Sequence, residues 1–93
     1  MKKTDEKVLK FLFENFETNC RCEITLWKLT MKYEKSEEVG YVVQKKLIGN
    51  HNFIVYDFRF NYLNKKSALN KIDKLYEDLK KDNFELVESQ LQK

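Results

Sequence analysis

Cys20, Cys22 and His51 carry the side chains best suited to nucleophilic or metal chemistry. A thiol beside an imidazole can act as a nucleophile, and the same two groups bind zinc. Two cysteines and one histidine fall short of a four-ligand zinc site, and no catalytic motif surrounds them. A single residue separates the cysteines, so a disulfide between them would be strained. We interpret them as reduced structural residues and predict no catalytic residue, no metal site and no cofactor.

Other signatures of enzymes are also absent from the sequence. The only glycines are Gly40 and Gly49, and they do not form a phosphate-binding loop. The acidic residues fall mainly on predicted helix surfaces and turns, where their usual role is solubility, so no acid–base pair is indicated. The sequence therefore predicts a protein that is not an enzyme.

Basic residues concentrate in the middle of the chain. The segment between Val39 and Ile72 contains six basic residues and one acid, Asp57, so its net charge of +5 (six minus one) exceeds the +3 of the whole chain. This region predicts an alternative function, nucleic-acid binding, through Lys45, Lys46, Arg59, Lys65 and Lys66. The chain has only two arginines, and its pI of 8.8 lies below the value of about 9 that is typical of nucleic-acid-binding domains.

A change of phase in the apolar pattern marks a second candidate surface. Cys22, Ile24 and Leu26 alternate on one face of a predicted strand that begins near Asn19. The next apolar residues have the opposite parity: Trp27, Leu29, Met31 and Tyr33. We predict a bulge or sharp bend near Leu26–Lys28 that accounts for the change of phase. The alternative is that these four residues form an exposed patch that binds a partner, most simply a second copy of the chain.

A further strand carries an aromatic stripe on its even positions: Ile54, Tyr56, Phe58, Phe60 and Tyr62. The stripe could be an exposed stacking platform or the inner face of a sheet. Burial of each large side chain contributes roughly 1.5–3 kcal/mol, so leaving five exposed would cost a small domain much of its stability. We predict that the stripe belongs to the core.

Helical periodicity appears at both ends of the chain. Val8, Leu12 and Phe16 predict a helix from about Asp5 to Glu17, with Phe11 off its apolar stripe. A second helix is predicted over about 68–82, with Ser67 as its N-cap and Asn83 in a left-handed conformation after it. Residues 84–93 are interpreted as a final strand, with Phe84 and Leu86 turned inward, or a frayed helical tail.

These elements predict one α+β domain spanning residues 1–93. Its core is a three- to four-stranded antiparallel meander sheet, with an N-terminal and a C-terminal helix packed on one face. The order is α-β-β-β-α with a possible final β. The middle strand of the meander is predicted over Val39–Ile48, and residues 49–52 form the hairpin loop before the last meander strand.

Composition and hydropathy indicate the cellular location and the genomic origin of this protein. No apolar run approaches the ~20 residues needed to cross a bilayer, and the N-terminus lacks the features of a secretory signal. We expect a cytoplasmic protein with no membrane contact. Residues with AT-rich codons number 42, against five of Gly, Ala, Arg and Pro, which indicates an AT-rich genome, such as that of a low-GC bacterium, its phage or another mobile element.

The sequence therefore predicts a small, non-enzymatic interaction or regulatory protein. We expect it to bind a protein partner through Trp27, Leu29, Met31 and Tyr33, and to form a homodimer. Small proteins of mobile elements often inhibit or regulate larger host machinery. We therefore include in the hypothesis that this chain is an inhibitor or regulator encoded by a phage or another mobile element. Nucleic-acid binding remains the alternative.

Overall fold

The described part of the polypeptide folds as a long antiparallel sheet with a single α-helix across it. The computed structural model describes residues 2–91. Its elements are β1 (Lys2–Asn15), β2 (Cys20–Lys32), β3 (Glu37–Ile48), a 3-10 turn (Asn50–Asn52), β4 (Ile54–Tyr62), α1 (Lys65–Lys81) and β5 (Glu85–Leu91).

The strands lie in the order β4-β3-β2-β1-β5, and every neighbouring pair is antiparallel. The first four strands form a meander of consecutive hairpins. Helix α1 then carries the chain from the β4 edge to the β5 edge across one face of the sheet. At its C-terminal end the side-chain amide of Asn15 donates to the carbonyl of Asp82 at 3.0 Å. We call the side covered by α1 the helix face and the opposite side the open face.

The hydrophobic core lies between α1 and the centre of the helix face. The helix contributes four buried residues spaced four, three and four apart, which places them on one side of an α-helix. Five sheet residues beneath them are buried almost completely. The core residues are Phe13, Cys22, Ile24, Leu26, Val43, Ala68, Ile72, Leu75 and Leu79.

The predicted N-terminal helix is wrong, because residues 2–15 form strand β1. Leu9, Phe11 and Phe13 alternate onto the helix face, where they lie opposite Leu26, Ile24 and Cys22 of β2. Phe11, which did not fit the helical stripe, fits this strand period of two. Pairing with β2 on one side and β5 on the other overrides the weaker helical pattern. The fold is therefore a five-stranded sheet with one helix, not a smaller sheet with two.

The C-terminal helix is present but begins earlier than predicted. Its N-cap is Asn64 and not Ser67, because the Asn64 side chain accepts a hydrogen bond from the Ser67 N–H at 2.9 Å. At the other end Asn83 adopts the predicted left-handed conformation, with φ of 64°.

The segment after α1 is a strand, so the helical alternative for it is wrong. Phe84 packs against the core, as predicted, whereas Leu86 is exposed. The last two residues of the segment lie outside the described residues.

The predicted bulge in β2 is also wrong. Strand β2 pairs with β3 without interruption, and the irregularity near this point lies in β1, between Lys7 and Leu9. Those two residues face Trp27 and Leu26, so the extra residue is in the neighbouring strand. Strand β2 therefore keeps its alternation and presents apolar side chains to both faces of the sheet.

The aromatic stripe of β4 is only partly in the core. Phe60 and Tyr62 pack against it, but Phe58 is 52% exposed and Ile54 is 53% exposed. Helix α1 begins just after Tyr62, so it covers only that end of β4. A register shift between β3 and β4, next to Ile54, also interrupts the stripe's regular alternation. The prediction of a fully buried stripe is therefore wrong at its N-terminal end.

Candidate protein-interaction surface

The open face brings together most of the predicted partner-binding residues. Trp27, Leu29 and Met31 have the parity of the open face in β2 and are half-buried there. Tyr33 follows the end of β2 in the turn to β3, where its N–H donates to the carbonyl of Ser36 at 2.8 Å. Its hydroxyl lies 3.9 Å from the sulfur of Met31. The four residues thus run from the centre of the open face to one end of the sheet.

A chain of side-chain hydrogen bonds orients Trp27. The indole Nε1–H donates to Oε1 of Gln44 at 2.9 Å. The Nε2 group of Gln44 donates in turn to both carboxylate oxygens of Asp57, at 3.0 and 3.2 Å. This series of hydrogen bonds links β2, β3 and β4. Gln44, at its centre, is 8% exposed although α1 does not cover it. Because both ends of the Gln44 amide are bonded, the indole ring has one preferred orientation.

A cation completes the setting of the indole ring. The ammonium group of Lys7 lies 5.4 Å from the centroid of the Trp27 ring, within the range of a cation–π interaction. Lys7 is also directly opposite Trp27 in the β1–β2 pairing. The ring is therefore held from both neighbouring strands, by Lys7 in β1 and Gln44 in β3, without being covered.

Beside the ring the open face forms a shallow groove with a volume of about 350 Å³. Its apolar part consists of Trp27, Leu29 and Val42. Charged and polar side chains from β1 and β4 border it: Lys3, Asp5, Arg59 and Asn61. A groove with both apolar and charged lining residues has the mixed character of a protein-binding patch.

The open face as a whole carries no excess of positive charge. By their register, six basic and seven acidic residues of the described part of the chain have open-face parity. The basic residues are Lys3, Lys7, Lys10, Arg21, Lys46 and Arg59, and the acidic ones are Asp5, Glu14, Glu23, Glu38, Asp57, Glu85 and Glu88. Lys10 and Glu23 form an ion pair at 3.3 Å. This balance favours a protein surface over a polyanion as the ligand.

The residues predicted to bind nucleic acid do not form one patch. Lys46 and Arg59 belong to the open face, whereas Lys45 belongs to the helix face. There the ammonium group of Lys45 lies 5.4 Å from the centroid of the Tyr56 ring. Lys65 and Lys66 begin α1, beyond the end of β4, and both are exposed.

The cysteines and the histidine lie apart from the open-face groove. Cys22 is fully buried in the core, and desolvation by burial raises the pKa of its thiol to about 11. Cys20 is half-buried at the start of β2, and His51 is exposed in the 3-10 turn. Within residues 2–91 no three potential ligands among His, Cys, Asp and Glu come together as a metal site. None of the described helices is long and apolar enough to span a membrane.

The sequence reasoning missed several groups that shape this surface. Lys7 was assigned to a helix, so its place opposite Trp27 could not be foreseen. Gln44 was treated as an ordinary residue of β3, and Asp57 as the only acid of a basic region. One signal for Gln44 was available in the sequence. Gln44 and Val42 occupy even positions of the strand, so they lie on the face opposite to that of Val43. Their position beside Trp27 required the register between β2 and β3.

Comparisons with known proteins gave no match: no protein-family model, curated protein or solved structure shows significant similarity to this chain. The fold defines the chain as an α+β protein, and the candidate site is a sheet face that α1 does not cover and on which basic and acidic residues are nearly equal in number.

Proposed function

We propose that this chain is a non-enzymatic interaction protein that binds a protein partner through the open face. The observation that carries the proposal is the half-buried Trp27 ring, held by Lys7 and Gln44 at the border of an uncovered groove. Tryptophan anchors are over-represented in binding hot spots, and a fixed ring loses little conformational entropy when a partner covers it.

The groove favours a partner of a particular chemistry. An apolar side chain of the partner would occupy the space beside Trp27 and Leu29 and displace water from it. The rim offers charges of both signs, Lys3 and Arg59 against Asp5, so the flanking residues of the partner would be mixed in charge. If the open face of this small chain covers a functional surface of a larger protein, the chain would act as a regulator or inhibitor of that protein.

Self-association belongs to the same proposal, with the chain acting as a homodimer. The open face is then the surface for the heterologous partner, and a different surface joins the two copies.

Site-specific photo-crosslinking tests the open face. A photoreactive amino acid at Leu29 should capture one specific protein in cells that naturally contain the chain. The same amino acid at Lys74, which is exposed on α1, should not capture it. The captured protein is then purified, and its affinity is measured by calorimetry. Replacing a hot-spot tryptophan typically costs 2 kcal/mol or more, so Trp27→Ala should weaken binding at least about thirtyfold.

Two outcomes would contradict the proposal. One is a purified partner that binds the Trp27→Ala variant as tightly as the original chain. The other is binding to random oligonucleotides that falls steeply with salt and is abolished by Lys45→Glu with Lys46→Glu, which would establish the nucleic-acid alternative.

A further inference from the structure

Strand β4 forms an edge of the sheet with unusual exposure of apolar side chains. Among residues 2–91 no strand pairs with its outer backbone groups, since β3 alone lies beside it there. Ile54, Val55 and Phe58 are each about half exposed, at 53%, 51% and 52%. The strand IVYDFRFNY contains neither lysine nor proline, the residues that usually prevent edge-to-edge pairing.

The opposite edge of the sheet is protected in the usual way. Strand β5 has seven residues and carries Glu85 and Glu88. Short length and like charges discourage pairing with another strand, whereas a register irregularity occurs at both edges and does not distinguish them. The contrast indicates that β4, and not β5, is an edge for association.

The order of residues in β4 makes the strand complementary to itself. Two antiparallel copies related by a two-fold axis perpendicular to the sheet must place one residue opposite its own equivalent. An axis at Asp57 sets Asp57 opposite Asp57, and an axis at Arg59 sets Arg59 opposite Arg59. Both registers place like charges directly opposite, which is destabilising.

An axis at Phe58 gives a favourable register. Asp57 of each copy then faces Arg59 of the other, so two opposite-charge pairs form on the open face. Tyr56 faces Phe60 twice and Phe58 faces Phe58, so aromatic side chains meet on the helix face. Each of these cross-strand pairs is of a favourable kind. An axis at Phe60 avoids like charges but leaves Asp57 opposite Leu63, without these ion pairs.

We propose that two copies of this chain pair through their β4 edges, antiparallel and centred on Phe58, to form a continuous ten-stranded sheet. This inference rests on the self-association in the proposed function and adds its surface and register. The stacked rings of Tyr56 and Phe58, with centroids 4.7 Å apart, lie beside the contact and are covered by the partner copy's rings. The two open faces become one surface. The apolar part of each groove, Trp27, Leu29 and Val42 of β2 and β3, stays accessible, whereas Arg59 of the rim takes part in the dimer contact.

Mass measurement by sedimentation tests the pairing. The chain should change from monomer to dimer over a concentration range of about 1 to 500 µM, because a contact through one strand is small. Asp57→Arg or Arg59→Asp places like charges opposite each other twice, and each should raise the dimer dissociation constant at least about tenfold.

Mixing the two variants is the decisive test of the pairing. Asp57→Arg paired with Arg59→Asp restores two opposite-charge pairs in the Phe58-centred register, so the equimolar mixture should dimerise more tightly than either variant alone. Asp73→Arg and Lys74→Asp, on the exposed side of α1, match the two charge changes and should leave the dimer unaffected. Circular dichroism confirms that each variant is folded. Arg59→Asp leaves Asp57, the acceptor of the Gln44 amide, in place.

Other outcomes overturn the inference in distinguishable ways. A dimer that persists in both β4 variants shows that another surface joins the copies, and self-association itself survives. A monomer at every concentration removes self-association as well. Binding at Trp27 is tested separately, so it is unaffected by either result. Dimerisation of each variant with itself but not in the mixture would exclude the Phe58-centred register.

Discussion

The two faces of the sheet carry neighbouring residues of the same strands but are stabilised in different ways. On the helix face Leu26 is fully buried beneath α1. On the open face the next residue, Trp27, has no element above it and is held at its edges by Gln44 and Lys7. The helix face excludes water by packing, whereas the open face orders its largest side chain by polar contacts and leaves it accessible. A surface of this kind suits recognition more than stability.

The two faces should respond differently to loss of apolar volume in β2. Ile24→Ala, on the helix face, should lower the free energy of unfolding by about 2–5 kcal/mol, because it opens a cavity in the core. Leu29→Ala, in the same strand on the open face, should cost only about 1 kcal/mol, since water can fill the space. Urea denaturation of both variants measures this difference. Equal losses would mean that the open face is as closed as the core.

Alkaline pH should weaken the helix face selectively through Cys22. Its folded pKa of about 11 lies above the unfolded value of 9.0. The unfolded chain therefore loses the thiol proton first, and stability falls as the pH rises from 9 toward 11. Linkage predicts a loss of about 2 kcal/mol from this group between pH 8 and pH 11.

The matched control for this pH effect is Cys22→Ala, which lacks the titrating thiol. The stability difference between the two proteins is measured by denaturation at each pH, so the contributions of tyrosine and lysine cancel. A difference that stays constant across the range would show that Cys22 is not desolvated in the folded state.

The polar chain on the open face should contribute less. Gln44→Ala removes the acceptor of the Trp27 indole and the donor to Asp57, so we expect a loss of about 1–2 kcal/mol and easier quenching of Trp27 fluorescence by acrylamide. Gln90→Ala, at an exposed site whose amide donates to Glu88, should have almost no effect on either measurement. Unchanged quenching in Gln44→Ala would show that the indole does not depend on this chain.

The elements that could be predicted from the sequence are those with a single strong pattern. The apolar alternation that begins near Asn19 predicted β2, and the alternation over Val39–Ile48 predicted most of β3. The stripe through Ile72 and Leu79 predicted α1. The N-terminal segment failed because Val8, Leu12 and Phe16 satisfy a helical period while Leu9, Phe11 and Phe13 satisfy a strand period. Local propensity could not choose between them, because the choice depends on pairing with β2 and β5.

The candidate site was predictable to a similar degree. Parity alone separated Trp27, Leu29 and Met31 from the core side of β2, because side chains of a strand alternate strictly between faces. The neighbours of Trp27 were not predictable. Lys7 and Gln44 are 20 and 17 residues from it in sequence, and they meet it only through the registers of two different strand pairs.

What the sequence by itself determined is therefore the period of each segment and the side on which each residue falls. The tertiary structure alone decided which side is covered. Helix α1 crosses the sheet from the Tyr62 end of β4 to the Asn15 end of β1, so it partly buries Phe60 and leaves Phe58 exposed in the same stripe. One helix is too narrow to cover five strands, and its direction depends on where β4 ends and where β5 finds a free edge beside β1.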